Sequence, residues 1–431
     1  MDLFSALQTS VSGLQAQSYA ISNISGNIAN SQTTGFKRVD TSFVDLMTET
    51  TPKREVAGSV LAQSQLTNTI AGNVVSTSVP TNMSISGTGF FTVVQKTGDS
   101  SGNTTFAGTN AYTRRGDFAP TADGYLMNGA GGYLTGNTLD PVSGQITTSG
   151  PIKIGNPTLP AQPTTTITYA ANLPATPTVS ASAQPPGSIA GPSLTAYTSS
   201  GAPITINMRW TQQPTPSNGA ASSWALSYQD GTDQTTGNPT WKTITTPTFD
   251  FDPTGKLVGP QGSVADPSKI TVDLSKYQFS GYTFPSLNLD ISGGLTQYAD
   301  ATGAVTTNTL SQDGNTAGTL TSLAVGSDGK INGTFSNGDV KALATVGIVQ
   351  FANPDGLKAD TNGNYLQTAD SGTPLSGLNG STITGASLEQ SNTDIATEFS
   401  KMIVTQQAYS ANTRVMSTAQ TMMSDLLNVI R

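Results

Sequence analysis

The chain has 431 residues, a net charge of −8, no Cys and no His, and only 11% of its residues are charged, against a usual share of about 25%. Without Cys or His the common ligands of zinc and haem are missing, and thiol and disulfide chemistry is excluded, so no cofactor is expected. The negative balance without a basic run argues against nucleic acid, and no apolar run reaches the ~18 residues of a membrane span.

Thr, Ser, Asn, Gln and Gly fill the places that Lys and Glu usually hold. Such a surface is neutral and hydrogen-bonding, suited to packing against copies of itself. Residues 1–30 read as an amphipathic helix: Leu7, Leu14, Ile21 and Ile28 recur at seven-residue spacing, Phe4 and Val11 lie on the adjacent row, and Leu3 and Ile24 widen the stripe. Asp2 is placed to cap it. Asn30 and Gly35 both tolerate left-handed backbone angles, so the helix is expected to stop before Phe36, which reads as exposed. The N-terminus lacks a basic region followed by an unbroken apolar one, so it does not read as a secretory signal.

Residues 38–82 read as a semi-extended connector with a solvated turn at Thr51-Pro52-Lys53-Arg54-Glu55. From Met83 the pattern becomes β, with Ile85, Phe91 and Val93 followed by turn signals at Gly98-Asp99-Ser100, Asp123-Gly124 and Asn128-Gly129. Residues 147–200 are rich in Pro, Thr, Ala and Ser and mark a boundary. Alternation then runs through 204–210, 224–228, 249–251, 270–274 and 287–291, the pattern of half-buried antiparallel strands. Residues 319–351 return to the earlier style, with a hairpin turn at Asp328-Gly329 and a buried strand over 346–351.

The last forty residues form a second long helix. Stepping back by sevens from Ile430 meets Met423, Met416, Tyr409, Met402, Ile395 and Leu388, with Phe399, Ile403, Val415 and Met422 between them. Both helices are terminal, where chains fray unless something ties them down. Their stripes are interrupted by Ser18, Ser25, Gln406, Thr413 and Gln420, so the partner they need is expected from another copy of the chain.

The fold class is therefore mixed and mainly β: N- and C-terminal α-helices paired as a coiled-coil-like hairpin, and two antiparallel β domains of barrel or sandwich type, the second inserted in the first. The expected boundaries are 1–30 with 391–431 for the helical domain, 31–82 with 373–390 for a connector, 83–146 with 319–372 for the first β domain, and 147–318 for the second.

Several stretches resemble the bacterial flagellar rod and hook proteins. Asn27-Ile28-Ala29-Asn30 followed by Thr34-Gly35-Phe36-Lys37 is similar to that family's N-terminal signature. Met83–Phe91, Tyr112-Thr113-Arg114-Arg115-Gly116-Asp117-Phe118 and Asp123–Leu126 resemble its first globular domain. Leu388–Asp394, Met402-Ile403-Val404 and Gln407-Ala408-Tyr409 resemble its C-terminal helix. The resemblance implies a non-catalytic subunit that polymerises into a bent tube, passes torque from motor and rod to filament, and is exported by a type III route through the tube's bore to an extracellular location. It implies as partners the distal rod protein, the hook–filament junction protein, a transient cap and the export apparatus, with no nucleic acid and no membrane insertion. The assembly seam would comprise Phe4, Leu7, Val11, Leu14, Ile21, Ile28, Ile395, Phe399, Met402, Tyr409, Met416, Met423 and Ile430. The large insertion favours the hook branch; a rod subunit carrying an insertion, or a secreted β-rich adhesin, are the alternatives.

Enzymatic patterns are fragmentary. Ser327-x-x-Lys330 and Lys96-Thr97-Gly98 occur in reversed order for penicillin-binding enzymes and lack a Ser-Asp-Asn element. Asp360-x-Asn362-x-Asn364 lacks the Gly and closing Glu of a calcium loop. Asp250 and Asp252 alternate along a strand with no inferable cleft around them.

Overall fold

The computed structural model describes residues 3–46, 59–100, 103–180, 182–214, 220–260, 270–360 and 363–429; the proposed cap Asp2, the turn at 51–55 and the seam residue Ile430 lie outside them. Two helices stand at the ends of the chain, α1 (Leu3–Ala29) and α2 (Ile395–Val429). They run antiparallel in contact: a methyl at Gly13 would stand 3.0 Å from the Asn412 amide nitrogen, and Asn27 reaches Glu398 at 2.9 Å. Gly35 takes φ +67° just after α1, and a Cβ there would meet the backbone of Arg114 and Arg115 at 2.7 Å, so glycine is required on both counts. Asp394 starts α2, its carboxylate accepting from the Thr397 amide at 2.7 Å. That contact and the Thr397 hydroxyl hold its carboxyl below the usual carboxylate range.

The stretch read as a semi-extended connector is paired instead. Val39–Leu46 and Ser59–Leu66 form an antiparallel hairpin, packed on α1 through Asn23 to Thr41 (2.9 Å) and Tyr19 to Ser64 (2.6 Å). Its alternation is too weak to announce a strand; helix α1 supplies the surface that fixes it. Farther on, Val74–Ser76 pairs with Ser387–Glu389, and Met83–Ser86 with Thr382–Gly385. Outgoing and returning chains thus run side by side up to the helix pair.

The chain divides into two compact units, residues 1–157 with 320–335 and 339–431, and residues 158–319 with 336–338. In the first, Phe90–Ser100 pairs with Ala111–Thr113, Gly132–Leu139 and Ile348–Gln350, and Gly132–Leu139 also pairs with Val340–Val346. Phe90, Tyr112, Val349, Phe351, Leu357 and Tyr365 make one apolar cluster of its core. Residues 147–157, expected in the inserted region, belong to this unit because Ile146–Pro151 pairs with Gly132–Leu139.

The second unit packs a five-stranded antiparallel sheet (Ser188–Tyr197, Pro203–Gln213, Ser222–Thr232, Pro239–Phe251, Leu257–Pro260) over a smaller mixed sheet. At the centre of the mixed sheet Thr166–Asn172 runs parallel to Asn288–Asp290 and Leu295–Thr296 and antiparallel to Thr306–Gln312. An all-antiparallel arrangement was expected. A parallel pair needs a long crossover, and the whole five-stranded sheet lies in the connection between these strands. Trp210 and Trp224 are fully buried here, and Trp210 stacks on Tyr169 and donates to its hydroxyl at 3.2 Å.

Candidate assembly interface

The root of the helix pair is built from charge in a chain that has little of it. Lys37 and Glu389 form an ion pair with both side chains no more than 1% exposed. Lys37 also donates to the Ile70 carbonyl at 2.7 Å, and Glu389 accepts from the Gly72 amide at 2.8 Å. Arg114, 2% exposed, reaches the other Glu389 oxygen at 3.5 Å, donates to the carbonyls of Ile85 and Gly87, and lies 5.0 Å over the Phe90 ring. Two buried cations therefore share one carboxylate. Burial lowers the Lys37 pKa and outweighs the pull of Glu389; the same balance lowers that of Arg114. Burial also raises the pKa of the neighbouring Tyr365 hydroxyl.

A second polar chain continues from this knot into the helices. Asn27, 1% exposed, bonds both backbone groups of Val39, and its amide donates to Glu398 at 2.9 Å. Glu398 accepts from Lys401 at 3.0 Å, and Lys401 reaches Asp40 at 2.9 Å. Asn392 closes the root: it accepts from the Arg38 amide at 2.8 Å and donates to the Ile70 carbonyl at 3.2 Å. Leaving Lys37, Arg114, Glu389, Asn27 or Glu398 without its partner is costly, because each is already almost fully desolvated.

The motif residues meet at this root in different ways. Asn27, Gly35 and Lys37 are buried; Asn30 is half-buried and bonds back to the Gly26 carbonyl; Ala29 is exposed. Phe36, expected to be exposed, is half-buried. Sequence reasoning missed Arg114, Glu389, Glu398 and Asn392 as a set. Arg114, Glu389 and Asn392 stand inside the quoted motifs, and charged residues recurring in short motifs of a charge-poor chain were the available signal.

The helices above the root bury a different face from the one expected. Among the described side chains of α1, those buried are Ser10, Gly13, Ala16, Ala20, Ile24 and Asn27, a row at three- and four-residue spacing made mostly of small side chains. Leu7, Leu14, Ile21 and Ile28 are only half-buried beside it, and Val11 is exposed; Phe4 lies in α1, its side chain outside the description. On α2 the seven-residue row is divided. Met402, Met416 and Met423 are half-buried on the covered side with Glu398, Asn412 and Ala419, whereas Ile395, Phe399 and Tyr409 are exposed. Ile403, Val404, Val415 and Met422 are exposed as well, at 49–65%. Small residues of α1 allow the close approach; on α2 the three Met residues take the covered side, and Ile395, Phe399, Ile403, Val404, Tyr409, Val415 and Met422 are left open.

The patterns weighed as catalytic are absorbed by secondary structure. Lys330 pairs with Asp328 (3.0 Å) across the hairpin turn, and Lys96 with Asp99 (2.8 Å) along the strand Phe90–Ser100, which pairs with Asn103–Phe106 and runs through Gly98-Asp99-Ser100, where a turn was expected. Asp250 is buried and bonded to Ser223, while Asp252 caps its own turn at Thr254, so the two carboxylates do not form a pair. Among the described residues no cluster of three or more acidic side chains could hold a metal ion, and no helix is long and apolar enough to cross a membrane.

Comparison with known proteins agrees over the whole length. Residues 7–37 match the flagella basal body rod protein family, 142–315 the flagellar basal body protein FlaE D2 domain, and 385–429 the flagellar basal body rod FlgEFG protein C-terminal family. The flagellar hook protein FlgE of Brucella abortus is 31% identical, with 100% of both chains covered. That of Salmonella typhimurium is 29% identical over 97% of this chain and 98% of its own. The Helicobacter pylori flagellar hook protein FlgE2 structure gives a TM-score of 0.49 at 15% identity, covering 72% of this chain and 98% of that one. The chain belongs to the flagellar hook protein FlgE family, a non-enzymatic structural subunit that polymerises with itself in the hook of the bacterial flagellum.

Proposed function

We propose that the apolar faces left open on α1 and α2 are the seam along which copies of this chain pack into the inner wall of the hook. One observation carries this reading: Ile395, Phe399, Ile403, Val404, Tyr409, Val415 and Met422 are 39–65% exposed on a single helix. Burying the rest of these side chains would contribute on the order of 5–10 kcal/mol per subunit. The seam takes in Leu7, Val11, Leu14, Ile21 and Ile28 of α1, and Phe4 and Ile430 by continuation of the rows. A heterologous contact of this kind repeats without closing and so builds a tube.

In this reading the helical domain (1–30 and 391–431) lines the bore, and the segments 31–82 and 373–390 join it to the β domains outside. Neutral Thr- and Asn-rich faces let those domains slide as the tube bends, so that it works as a universal joint around an export channel. Distal rod protein, junction protein, cap and type III export apparatus are its partners at the two ends and during assembly.

The test is Ile403→Asp or Val404→Asp. Each places a carboxylate on an open face of α2, where the side chain is 56% and 65% exposed, and each is expected to abolish tubes in negative-stain micrographs while far-UV circular dichroism retains the β signal. Normal tubes from both variants would remove the helices from the seam.

A further inference from the structure

We propose that Asn379–Gly380 is a site of spontaneous covalent modification, deamidation through a cyclic imide, singled out by the fold from the chain's other Asn–Gly steps. The sequence has six such steps, at Asn128, Asn218, Asn332, Asn337, Asn362 and Asn379. Four lie wholly within the described residues, and their surroundings differ.

The reaction needs two groups free to meet: the backbone nitrogen of the glycine as nucleophile and the side-chain amide carbon of the asparagine as electrophile. At Asn128 both are held. Its side-chain oxygen accepts from the amides of Ala130 (3.1 Å) and Gly132 (2.8 Å), its residue is 1% exposed, and the Gly129 nitrogen donates to Asp117 at 3.3 Å. Asn332 sits inside a strand paired on both sides, which fixes its backbone in the extended form. Asn337 donates its side-chain amide to the Thr316 carbonyl at 2.9 Å.

Asn379 is different on each count. It is exposed, and its only side-chain contact among the described residues is to the Ser376 carbonyl at 3.5 Å, the limit of a hydrogen bond. Among those residues nothing accepts from the Gly380 nitrogen. The loop turns through positive φ at Gly377 (+111°), Asn379 (+41°) and Gly380 (+88°), and a Cβ at Gly380 would meet nothing within 4 Å. Glycines on both sides give the backbone the freedom to rotate into the attacking geometry.

The Gly380 nitrogen bonds to the Asn379 side-chain carbon, the carbon–nitrogen bond of the amide breaks, and ammonia leaves with the proton that the glycine nitrogen gives up. Water then opens the imide at either carbonyl, leaving aspartate or isoaspartate. Each adds a negative charge to a loop that Gln350 holds from within, through the carbonyls of Leu378 (3.0 Å) and Asn379 (3.2 Å). Isoaspartate also lengthens the backbone ahead of Thr382–Gly385, the strand that leads back towards α2.

The experiment is incubation of the full-length protein at mildly alkaline pH, with fragment-resolved mass spectrometry of its peptides over time, natively and in urea. Native Asn379 is expected to convert at least about tenfold faster than Asn128, Asn332 and Asn337. That spread should collapse in urea, and Asn379→Gln should remove the product. Asn379 converting no faster than those three in the native protein would overturn the proposal. So would an unchanged ranking in urea, since the fold would then not be the cause.

Discussion

The inserted unit and the helix pair solve opposite problems with the same limited alphabet. Residues 158–319 close on themselves: Trp210, Trp224, Tyr169, Phe249, Phe251, Phe279 and Phe284 are all almost fully buried, and the two sheets share one apolar core. The helix pair keeps its small residues for its own contact and leaves Phe399, Ile403 and Val404 outside, 50%, 56% and 65% exposed. One region is finished as a monomer and the other is unfinished. Within the first unit the root cluster holds the helices to the β strands with buried charge instead of apolar area, which leaves the exposed apolar side chains of α2 uncovered.

This contrast can be broken most completely at Phe399. Phe399→Asp replaces a half-exposed side chain, so thermal unfolding of the monomer should move by no more than about 0.5 kcal/mol, while polymerisation under salting-out conditions is lost. A large drop in monomer stability would mean that Phe399 already serves the subunit's own fold. The next effect is at the root. Glu389→Gln leaves Lys37 and Arg114 buried with no counter-charge and should cost about 3–5 kcal/mol in denaturant unfolding. Arg114→Met leaves the Lys37–Glu389 pair intact and should cost less. Equal losses would show that packing rather than charge balance governs the cluster.

The smallest effect is a pH dependence. Burial lowers the folded-state pKa of Lys37 from 10.5, so between that lowered value and 10.5 the unfolded chain binds the extra proton. Stability from this group therefore rises with pH across the window. Compared with Lys37→Met, the wild-type protein should gain stability as the pH is raised through the alkaline range, in parallel denaturant titrations. A difference that stays flat or falls would mean that the ion pair with Glu389 outweighs desolvation.

Much of the architecture was legible because it is local. The two helices stand where the seven-residue spacing put them, and the strand around Trp210 follows the alternation, whereas Ser223–Tyr228 and Phe249–Phe251 are buried on both faces and not half-buried as expected. The family resemblance rested in part on motifs that converge in space at the root, those holding Asn27, Lys37, Ile85, Arg114, Glu389 and Asn392. What was not legible is pairing across distance. Lys37 and Glu389 are separated by 352 residues, and neither position has a local pattern that announces a buried ion. The buried face of α1 escaped notice because Ser10, Gly13, Ala16 and Ala20 carry no apolar signature; their value lies in the close approach to α2 and the hairpin. The same limit hid the parallel strand Thr166–Asn172, whose parallel partners lie beyond the whole antiparallel sheet in the chain.

The most direct measurement compares the full-length chain with a chain of residues 31–394, which removes both helices but keeps Lys37, Arg114, Glu389 and Asn392 together. Both would be concentrated under salting-out conditions and viewed by negative-stain microscopy. Tubes from the full chain, with folded monomers from the shortened one, are the expected result. Tubes from residues 31–394 would contradict the account, placing the polymer's contacts in the β units and leaving the open helix faces without the role assigned to them.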